Sequence, residues 1–315
     1  MKDQIGNVIL DYTYYGGQDQ YSDGDIEDDL LHLIQEEPDV EKILAKDDRW
    51  PVLYHFSPVR QNILEWYPFK KGAEILEIGS GCGAITGVLC KNAEHVTSVD
   101  LSKRRSLINA NRNKEYDNLT IMVGNFNDII LEEKYDYITL IGVLEYAAYY
   151  TDAKQPFEAF LKRISSYLKE DGKLLIAIEN KFGLKYWAGT REDHTGKFFD
   201  GLEGYIDTES SVRTFSKEGL KTIIANAGYR NAEFYYPFPD YKFPVQIFSD
   251  EYLPKEDDLN IGLDTFDNTR MMLFNENRVY ANLLKEKKSV IVNLEYVNKD
   301  IARRIIDVVS GAVHA

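Results

Sequence analysis

Glu77-Ile78-Gly79-Ser80-Gly81-Cys82-Gly83-Ala84 is the stretch that decides the reading of this chain. Ala73 to Ile78 before it is a short apolar run of strand type, and Thr86 to Lys91 after it opens a helix. The glycines therefore stand where a buried strand turns into a helix. Only glycine lets a backbone turn this tightly and leaves no Cβ between it and a ligand. The next strand, Val96 to Val99, ends at Asp100, about 20 residues on, where a carboxylate can accept both hydroxyls of a ribose. Loop, strand and acid together fit a bound nucleoside. Gly79-x-Gly81-x-x-Ala84 with Asp100 also satisfies a dinucleotide fingerprint, so an NAD-dependent oxidoreductase stands as the alternative.

Outward from this stretch the rhythm continues. Ser102 to Asn113 reads as a helix, Leu119 to Val123 as a strand, Tyr135 to Ile141 as a strand, Phe157 to Leu168 as a helix and Lys173 to Ile178 as a strand. Such alternation implies right-handed crossovers and a parallel sheet with helices on both faces. Two further runs, Ala232 to Tyr236 and Val245 to Phe248, flank a proline-rich turn and predict a hairpin closing the sheet. The fold expected is α/β, a doubly wound Rossmann-like sheet of seven strands whose last hairpin is antiparallel. Residues 1–20 read as an irregular arm, and Asp25 to Ala45 as amphipathic helices broken near Pro38. Ser57-Pro58 is an N-cap with proline in the first helical position. The organisation predicted is an acidic helical cap over 1–56, a catalytic domain over 57–250 with an inserted lid at 181–214, and a mainly helical extension over 251–315.

Composition bounds the function. The 315 residues carry 52 acidic and 37 basic side chains for a net charge of -15, with 44% hydrophobic and 13% aromatic content, as a globular chain does. Fourteen acidic residues face four basic ones within residues 1–50. No basic cluster offers phosphates a partner, so nucleic acid is not expected as substrate. Ile138 to Leu144, the longest nearly uncharged stretch, is far shorter than the ~20 residues that cross a bilayer, and the polar start lacks a secretory apolar region. A cytoplasmic protein without membrane insertion is the expectation. Cys82 and Cys90 are too few for a disulfide framework or zinc knuckle and read as packing residues.

Glu77-x-Gly79-x-Gly81-x-Gly83 resembles the first motif of class I S-adenosylmethionine-dependent methyltransferases, which place an acid two residues before the first glycine. Three further stretches match that family in order: Gly124-Asn125-Phe126-Asn127-Asp128, Tyr135-Asp136-Tyr137-Ile138 and Val143-Leu144-Glu145-Tyr146. The resemblance spans roughly residues 57–250. It implies S-adenosylmethionine as cofactor, S-adenosylhomocysteine as product, and cofactor contacts at Glu77, Gly79, Ser80, Gly81, Gly83, Asp100, Leu101, Asn125, Phe126 and Gly142. Glu77 would lie near the cofactor ammonium, Asp100 on the ribose, and Asn125, Phe126 and Leu101 around the adenine. Asn125 stands where the family usually has Asp; an amide carbonyl still accepts from the adenine amino group. The residue would equally serve as a turn former bonding its own backbone.

Methyl transfer is an in-line displacement governed by alignment, and an oxygen acceptor needs a base in reach. His194, in Arg191-Glu192-Asp193-His194-Thr195-Gly196 of the insertion, is the candidate base, oriented by Glu192 or Asp193; a solvated loop histidine is the alternative. Glu179-Asn180 ends the fifth strand of the motif region at the ligand-binding edge and resembles the Asp-Asn pair of magnesium-dependent O-methyltransferases. That family's other carboxylate falls at Gly142, so no metal is expected. Glu145 faces the presumed methyl-transfer end, or serves only the helix start it occupies. The Asn/Asp-Pro-Pro-aromatic motif of planar-amine methylases is missing at Gly142-Val143-Leu144-Glu145. Phe182, Tyr186, Trp187, Phe198, Phe199 and Tyr205 in the insertion suit a sugar or flat metabolite, or form the lid's own small core. Asn180 to Gly189 followed by Asp193-His194-Thr195-Gly196 is similar to methyltransferases associated with bacterial glycan and cell-surface polysaccharide assembly. The acceptor implied is a small molecule or carbohydrate hydroxyl. A non-catalytic module retaining the cofactor fold is a further alternative.

Overall fold

The computed structural model describes residues 1–19, 24–149, 153–187, 189–206, 209–238 and 240–253. These divide into two compact units: Met1–Glu179 with Gly219–Ile247, and residues 180–218 with the described residues from Phe248 on. The predicted extension over 251–315 lies outside the described residues from 254 onward.

The first unit is built on a seven-stranded sheet. In chain order its elements are β1 (Lys2–Ile5), β2 (Val8–Asp11), α1 (Ile26–Glu36), α2 (Val40–Lys46), α3 (Trp50–Phe56), a 3-10 turn (Pro58–Gln61) and α4 (Asn62–Glu65). Then come β3 (Ala73–Ile78), α5 (Thr86–Asn92), β4 (Ala93–Asp100), α6 (Lys103–Arg112), β5 (Leu119–Val123), β6 (Tyr135–Ile141), α7 (Pro156–Ser165) and β7 (Leu168–Ala177). The sheet order is β1-β2-β5-β4-β3-β6-β7, and all pairs are parallel except β1 with β2. The chain winds outward from β3 through β4 to β5, then crosses back to place β6 on the other side of β3. That reversal opens a crevice at the C-terminal ends of β3 and β6, where open parallel sheets bind ligands.

Strands form at all five apolar runs of the motif region, although β7 begins at Leu168, which the sequence reading gave to the preceding helix. The inner strand β3 is buried at five of its six positions, as a parallel strand covered on both faces must be. Ile75, Leu89, Val96 and Ile121 are buried in one core. At the opposite, N-terminal end of β6, Asp136 accepts from Lys169 Nζ at 2.7 Å, Lys70 Nζ at 3.1 Å and the Glu74 N–H at 3.0 Å. Burial works to raise its pKa, but these donors hold it down at about 2. This matched motif residue thus staples the sheet far from the crevice.

The antiparallel strand is at the other edge from the one expected. The C-terminal runs form β8 (Tyr235–Phe238) and β9 (Gln246–Ser249), after α8 (Leu184–Trp187) and α9 (Lys217–Asn226), and they pair with each other as a separate two-stranded sheet. The large sheet instead gains its antiparallel pair from residues 1–11, read from sequence as an irregular arm. Lys-Asp-Gln-Ile is a mostly exposed edge strand without apolar alternation, which hid it. The turn Gly6-Asn7, with Gly6 at φ 57°, was the available signal. Asn7 also ties the turn inward, its N–H and amide donating to the carbonyls of Lys114 at 2.8 Å and Glu115 at 3.1 Å.

The acidic helices pack on the motif region. Leu30, Ile34, Ile43, Val52 and Phe56 share a core with Cys82 of the glycine loop and Ile108 of α6. Cys82 and Cys90 are free and buried, as packing residues. Beneath the acidic surface, Glu27 is fully buried and pairs with Arg105 Nε at 2.6 Å, joining α1 to α6. No helix among the described residues is long and apolar enough to cross a membrane. Arg105→Met removes this cation from beside a carboxylate at 0% exposure and should lower unfolding free energy by about 3 to 5 kcal/mol, measured by urea denaturation.

Candidate active site

The three glycines of the loop all take positive φ, at 74°, 52° and 75° for Gly79, Gly81 and Gly83, so each conformation favours glycine. Their surroundings differ. A Cβ on Gly79 would stand 2.5 Å from Val143 Cγ2, and one on Gly83 would strike the Asn109 side chain. A Cβ on Gly81 would meet no atom within 4 Å. Gly79 and Gly83 therefore let the loop pack against the segment after β6 and against α6. Gly81 alone faces open space.

Asp100 holds that open position in place. Its Oδ2 accepts from the Gly81 N–H at 2.7 Å and its Oδ1 from the Ser102 N–H at 2.9 Å, so one carboxylate ties the glycine loop to the start of α6. Burial raises its pKa, against the pull of Arg105 and the two N–H donors. Each carboxylate oxygen has a second lone pair, which leaves acceptor capacity for ribose hydroxyls. Leu101 follows, half-buried. Glu77 is buried, and its Oε2 accepts from Thr86 Oγ1 at 2.7 Å and Ser98 Oγ at 2.6 Å. Burial pushes its pKa to about 7, only partly offset by those hydroxyls. Ser80 Oγ is buried without a hydrogen-bond partner among the described residues.

Beyond β5, Asn125 Oδ1 accepts from the Asn127 N–H at 2.9 Å, the local turn anticipated as its alternative role. Phe126 is 6% exposed, its ring set edge-on against Phe160 and Tyr167, and its carbonyl accepts from Arg163 Nη2 at 3.2 Å. Sequence reasoning missed what lies beside them. Because β2 is parallel to β5, it delivers residues 12–19 to the same edge as the glycine loop. A Cβ on Gly124 would come within 2.6 Å of the Tyr14 carbonyl oxygen. Asp19 then accepts from Ser102 Oγ at 3.0 Å and the Lys103 N–H at 2.7 Å. The N-terminal arm thus runs from the end of β5 to the start of α6.

At the β6 side of the crevice, Gly142 takes φ 70° and a Cβ there would lie 2.7 Å from Tyr241 Oη. Glu145 and Glu179 are both buried, and their carboxylate oxygens come within 4.8 Å of one another. Lys242 Nζ pairs with Glu179 Oε1 at 2.5 Å. Burial and the Glu179 carboxylate push the Tyr241 phenol well above its ordinary range, so it stays protonated. Tyr241 and Lys242 were not foreseen. They come from the segment joining β8 to β9, which carries no motif.

The second unit holds His194. Glu192, 2% exposed, accepts from the His194 and Thr195 N–H groups at 2.8 and 2.7 Å, and its Oε1 lies 3.0 Å from His194 Nδ1. Burial works to raise the Glu192 pKa, but His194 and these N–H groups bring it below the ordinary value. Tyr205, at φ 60°, donates to the same Oε1 at 3.3 Å and lies 2.5 Å from Thr214 Oγ1. Asp193 instead pairs with the buried Lys185 at 2.8 Å. Of the two acids expected to orient His194, Glu192 is the one in place. Asn180 Oδ1 accepts from the Phe182 N–H at 2.9 Å, the loop-capping role weighed for it.

These contacts separate the residues by stability. Gly83→Ala combines left-handed strain with a collision and should lower unfolding free energy by about 3 kcal/mol, against about 1 kcal/mol for Gly81→Ala, which meets strain alone. Glu77 gives a pH signature. Its folded pKa of about 7 lies above the unfolded value, so its contribution is fully present below the unfolded pKa and is lost as pH rises through about 7. Glu77→Gln keeps an acceptor for both hydroxyls and should gain about 3 kcal/mol on the wild type between pH 5 and pH 8 in paired urea titrations.

Comparison with known proteins agrees with this layout. Residues 76–174, from β3 into β7, match the family model described as a methyltransferase domain. Residues 270–315, outside the described part, match a second model, the cell division protein SepF. Similar curated proteins include ribosomal RNA small subunit methyltransferase A of Syntrophus aciditrophicus, 34% identical over 33% of this chain and 37% of that protein. Phosphoethanolamine N-methyltransferase of Triticum aestivum is 31% identical over 36% of this chain and 22% of its own. A ubiquinone biosynthesis O-methyltransferase of Coxiella burnetii is 29% identical over 41% and 53%. The chain thus spans between about a fifth and a half of these relatives. With the glycine loop, the Asp100 tie and the family match on the same strands, this chain contains a class I S-adenosylmethionine-dependent methyltransferase domain.

Proposed function

We propose that the chain transfers a methyl group from S-adenosylmethionine to a hydroxyl oxygen of a small-molecule or sugar acceptor. The observation that carries the donor half is the open space at Gly81 directly bonded to the buried Asp100 carboxylate. A Cβ would intrude on that space without touching protein, as in a cradle shaped for a ligand. Asp100 would hold the ribose, and Asn125, Phe126 and Leu101 would surround the adenine. Bound there, the donor supplies an electrophilic methyl on a positively charged sulfur.

The chain's own residues handle the rest. Glu145 and Glu179 place two buried carboxylates at the edge where β6 and β7 end, and Lys242 compensates one of them. Such an environment favours positive charge and offers acceptors for a hydroxyl proton. His194, its Nδ1 side fixed by Glu192, is assigned as the general base, with Glu192 as a positioning residue. The curated relatives act, by their names, on ribosomal RNA, on a phosphorylated amine and at oxygen, so the acceptor assignment rests on these side chains.

Two measurements test the proposal. S-adenosylhomocysteine should raise the melting temperature while NAD leaves it unchanged, and Gly81→Ala should abolish that shift; stabilisation by NAD alone would reverse the reading. In an assay of S-adenosylhomocysteine release over a panel of monosaccharides and phenols, His194→Ala and Glu145→Gln should each lower turnover about 100-fold or more, with S-adenosylhomocysteine affinity unchanged within twofold. Donor binding without turnover on any acceptor would favour a non-catalytic module.

A further inference from the structure

The N-terminal arm reaches the ligand edge at two fixed points. Leaving β2, the chain turns at Thr13, whose N–H and hydroxyl both donate to Asp11 Oδ1, at 2.9 and 2.5 Å. Tyr14 then lies so close to Gly124, at the end of β5, that no side chain fits there. Further on, Asp19 is fixed on the first turn of α6. Its carboxylate accepts from Ser102 Oγ at 3.0 Å, the Lys103 N–H at 2.7 Å and the Arg104 N–H at 3.2 Å, and the Tyr15 hydroxyl donates to it at 3.2 Å.

Between these points the chain spans instead of packing. A Cβ on Gly16 or Gly17 would meet no atom within 4 Å, and Gly17 takes φ 87°, a conformation that favours glycine. What lies beneath is set by the sheet. Gly124 opens the segment of Asn125 and Phe126 after β5, Leu101 and Ser102 follow Asp100 after β4, and the two strands are neighbours. A path from Tyr14 to Asp19 therefore crosses the ends of both strands, where the ribose and adenine are assigned. The chain is tied again at Gly24, whose carbonyl accepts from Arg104 Nη1 at 3.2 Å.

Asp19 is not needed to begin α6. The helix has its own cap in Ser102, whose Oγ accepts from the Arg105 N–H at 3.2 Å. The Lys103 and Arg104 N–H groups belong to the open first turn, where water can replace a carboxylate. Releasing Asp19 thus breaks charge-assisted hydrogen bonds and leaves the core intact. While it is held, the anion suits the helix N-terminus. Burial works to raise its pKa, but the Lys103 and Arg104 N–H groups with the Ser102 and Tyr15 hydroxyls bring it below the ordinary value. Lys103 Nζ adds a weaker hold, 5.1 Å from the Tyr12 ring and 5.9 Å from the Tyr15 ring. Ser102 couples this latch to the ribose position, giving its N–H to Asp100 and its hydroxyl to Asp19.

We propose that Asp19 is a positioning residue for the donor: it latches residues 14–19 as a strap over bound adenosine, and the latch opens whenever donor enters or product leaves. This rests on the methyl-donor reading above. A latched strap slows entry and exit together, because both need the open state, whereas a simple binding contact slows exit alone.

The test is rapid filtration on the full chain with tritiated S-adenosylhomocysteine, giving an association rate and, after a chase of unlabelled ligand, a dissociation rate. Asp19→Ala leaves the Ser102 cap in place and should raise both rates about 10-fold or more, the scale of a hydrogen bond to a charged group, with Kd changing less than either rate. Asp19→Asn keeps an acceptor without the charge and should fall between. Faster dissociation with unchanged association would make Asp19 a contact of a site that is always open and overturn the proposal. Unchanged rates, or loss of all binding in Asp19→Ala, would overturn it as well, the latter by giving Asp19 a structural role. A second measurement uses the wild type alone. Endoproteinase Asp-N cleaves before Asp19 when the strap is open, and S-adenosylhomocysteine should slow release of the fragment ending at Gln18 about 10-fold, followed by mass spectrometry. Equal cleavage with and without ligand would overturn the closure. A wild type that binds no S-adenosylhomocysteine would refute the donor reading itself, before any variant is compared.

Discussion

One carboxylate organises the crevice. Asp100 stands at the end of β4 and takes an N–H from the glycine loop after β3 and another from the start of α6. Without it, two loops that leave neighbouring strands in different directions would have to satisfy their N–H groups separately. The ties continue outward: Ser102 donates through its hydroxyl to Asp19, which also accepts the first N–H of α6. A single chain of hydrogen bonds thus runs from the glycine loop through Asp100 and Ser102 to the N-terminal arm. The arm is positioned by β2, whose parallel pairing with β5 brings residue 12 out at the ligand edge. An edge hairpin without motif residues therefore helps to define the region assigned to adenosine.

The sheet was legible where physics acts through burial. Strands covered on both faces must be apolar at nearly every position, and β3, β6 and the core of β4 show that in sequence. The helix read from Ser102 onward forms as α6, and there Ser102 proves to be its N-cap, accepting from the Arg105 N–H at 3.2 Å. What failed to show was structure made by exposed or distant groups. β1 has polar side chains because both of its faces are largely exposed, so its pairing leaves only a turn signature. β8 and β9 were recognised as strands, but strand-forming composition does not specify a partner, and they pair with each other.

The site was legible in its backbone and less so in its side chains. The glycine loop and Asp100 could be located because their spacing is imposed by one strand-helix-strand unit. The same spacing could not say that only Gly81 borders open space, since Gly79 and Gly83 are required for contacts with Val143 and Asn109 from other segments. Nor could it say that Glu192 rather than Asp193 meets His194, because two adjacent acids in a loop differ only in where the chain turns. Tyr241 and Lys242 sit in a stretch without a motif, far in sequence from Gly142 and Glu179, which they meet, and tertiary packing alone brings them in.

The charge pattern of the first unit also has a direction. Buried carboxylates at Glu145 and Glu179 lie where β6 and β7 end, partly balanced by Lys242, while the guanidiniums of Arg60 and Arg112 lie under α3 and the first turns after it. Desolvated charges are retained only where a partner repays the loss of water, as Lys242 does for Glu179 and the His55 and Phe56 carbonyls do for Arg112. The same argument limits the acceptor: a second anion beside Glu145 would meet like charge, so the group to be methylated approaches this edge neutral or cationic.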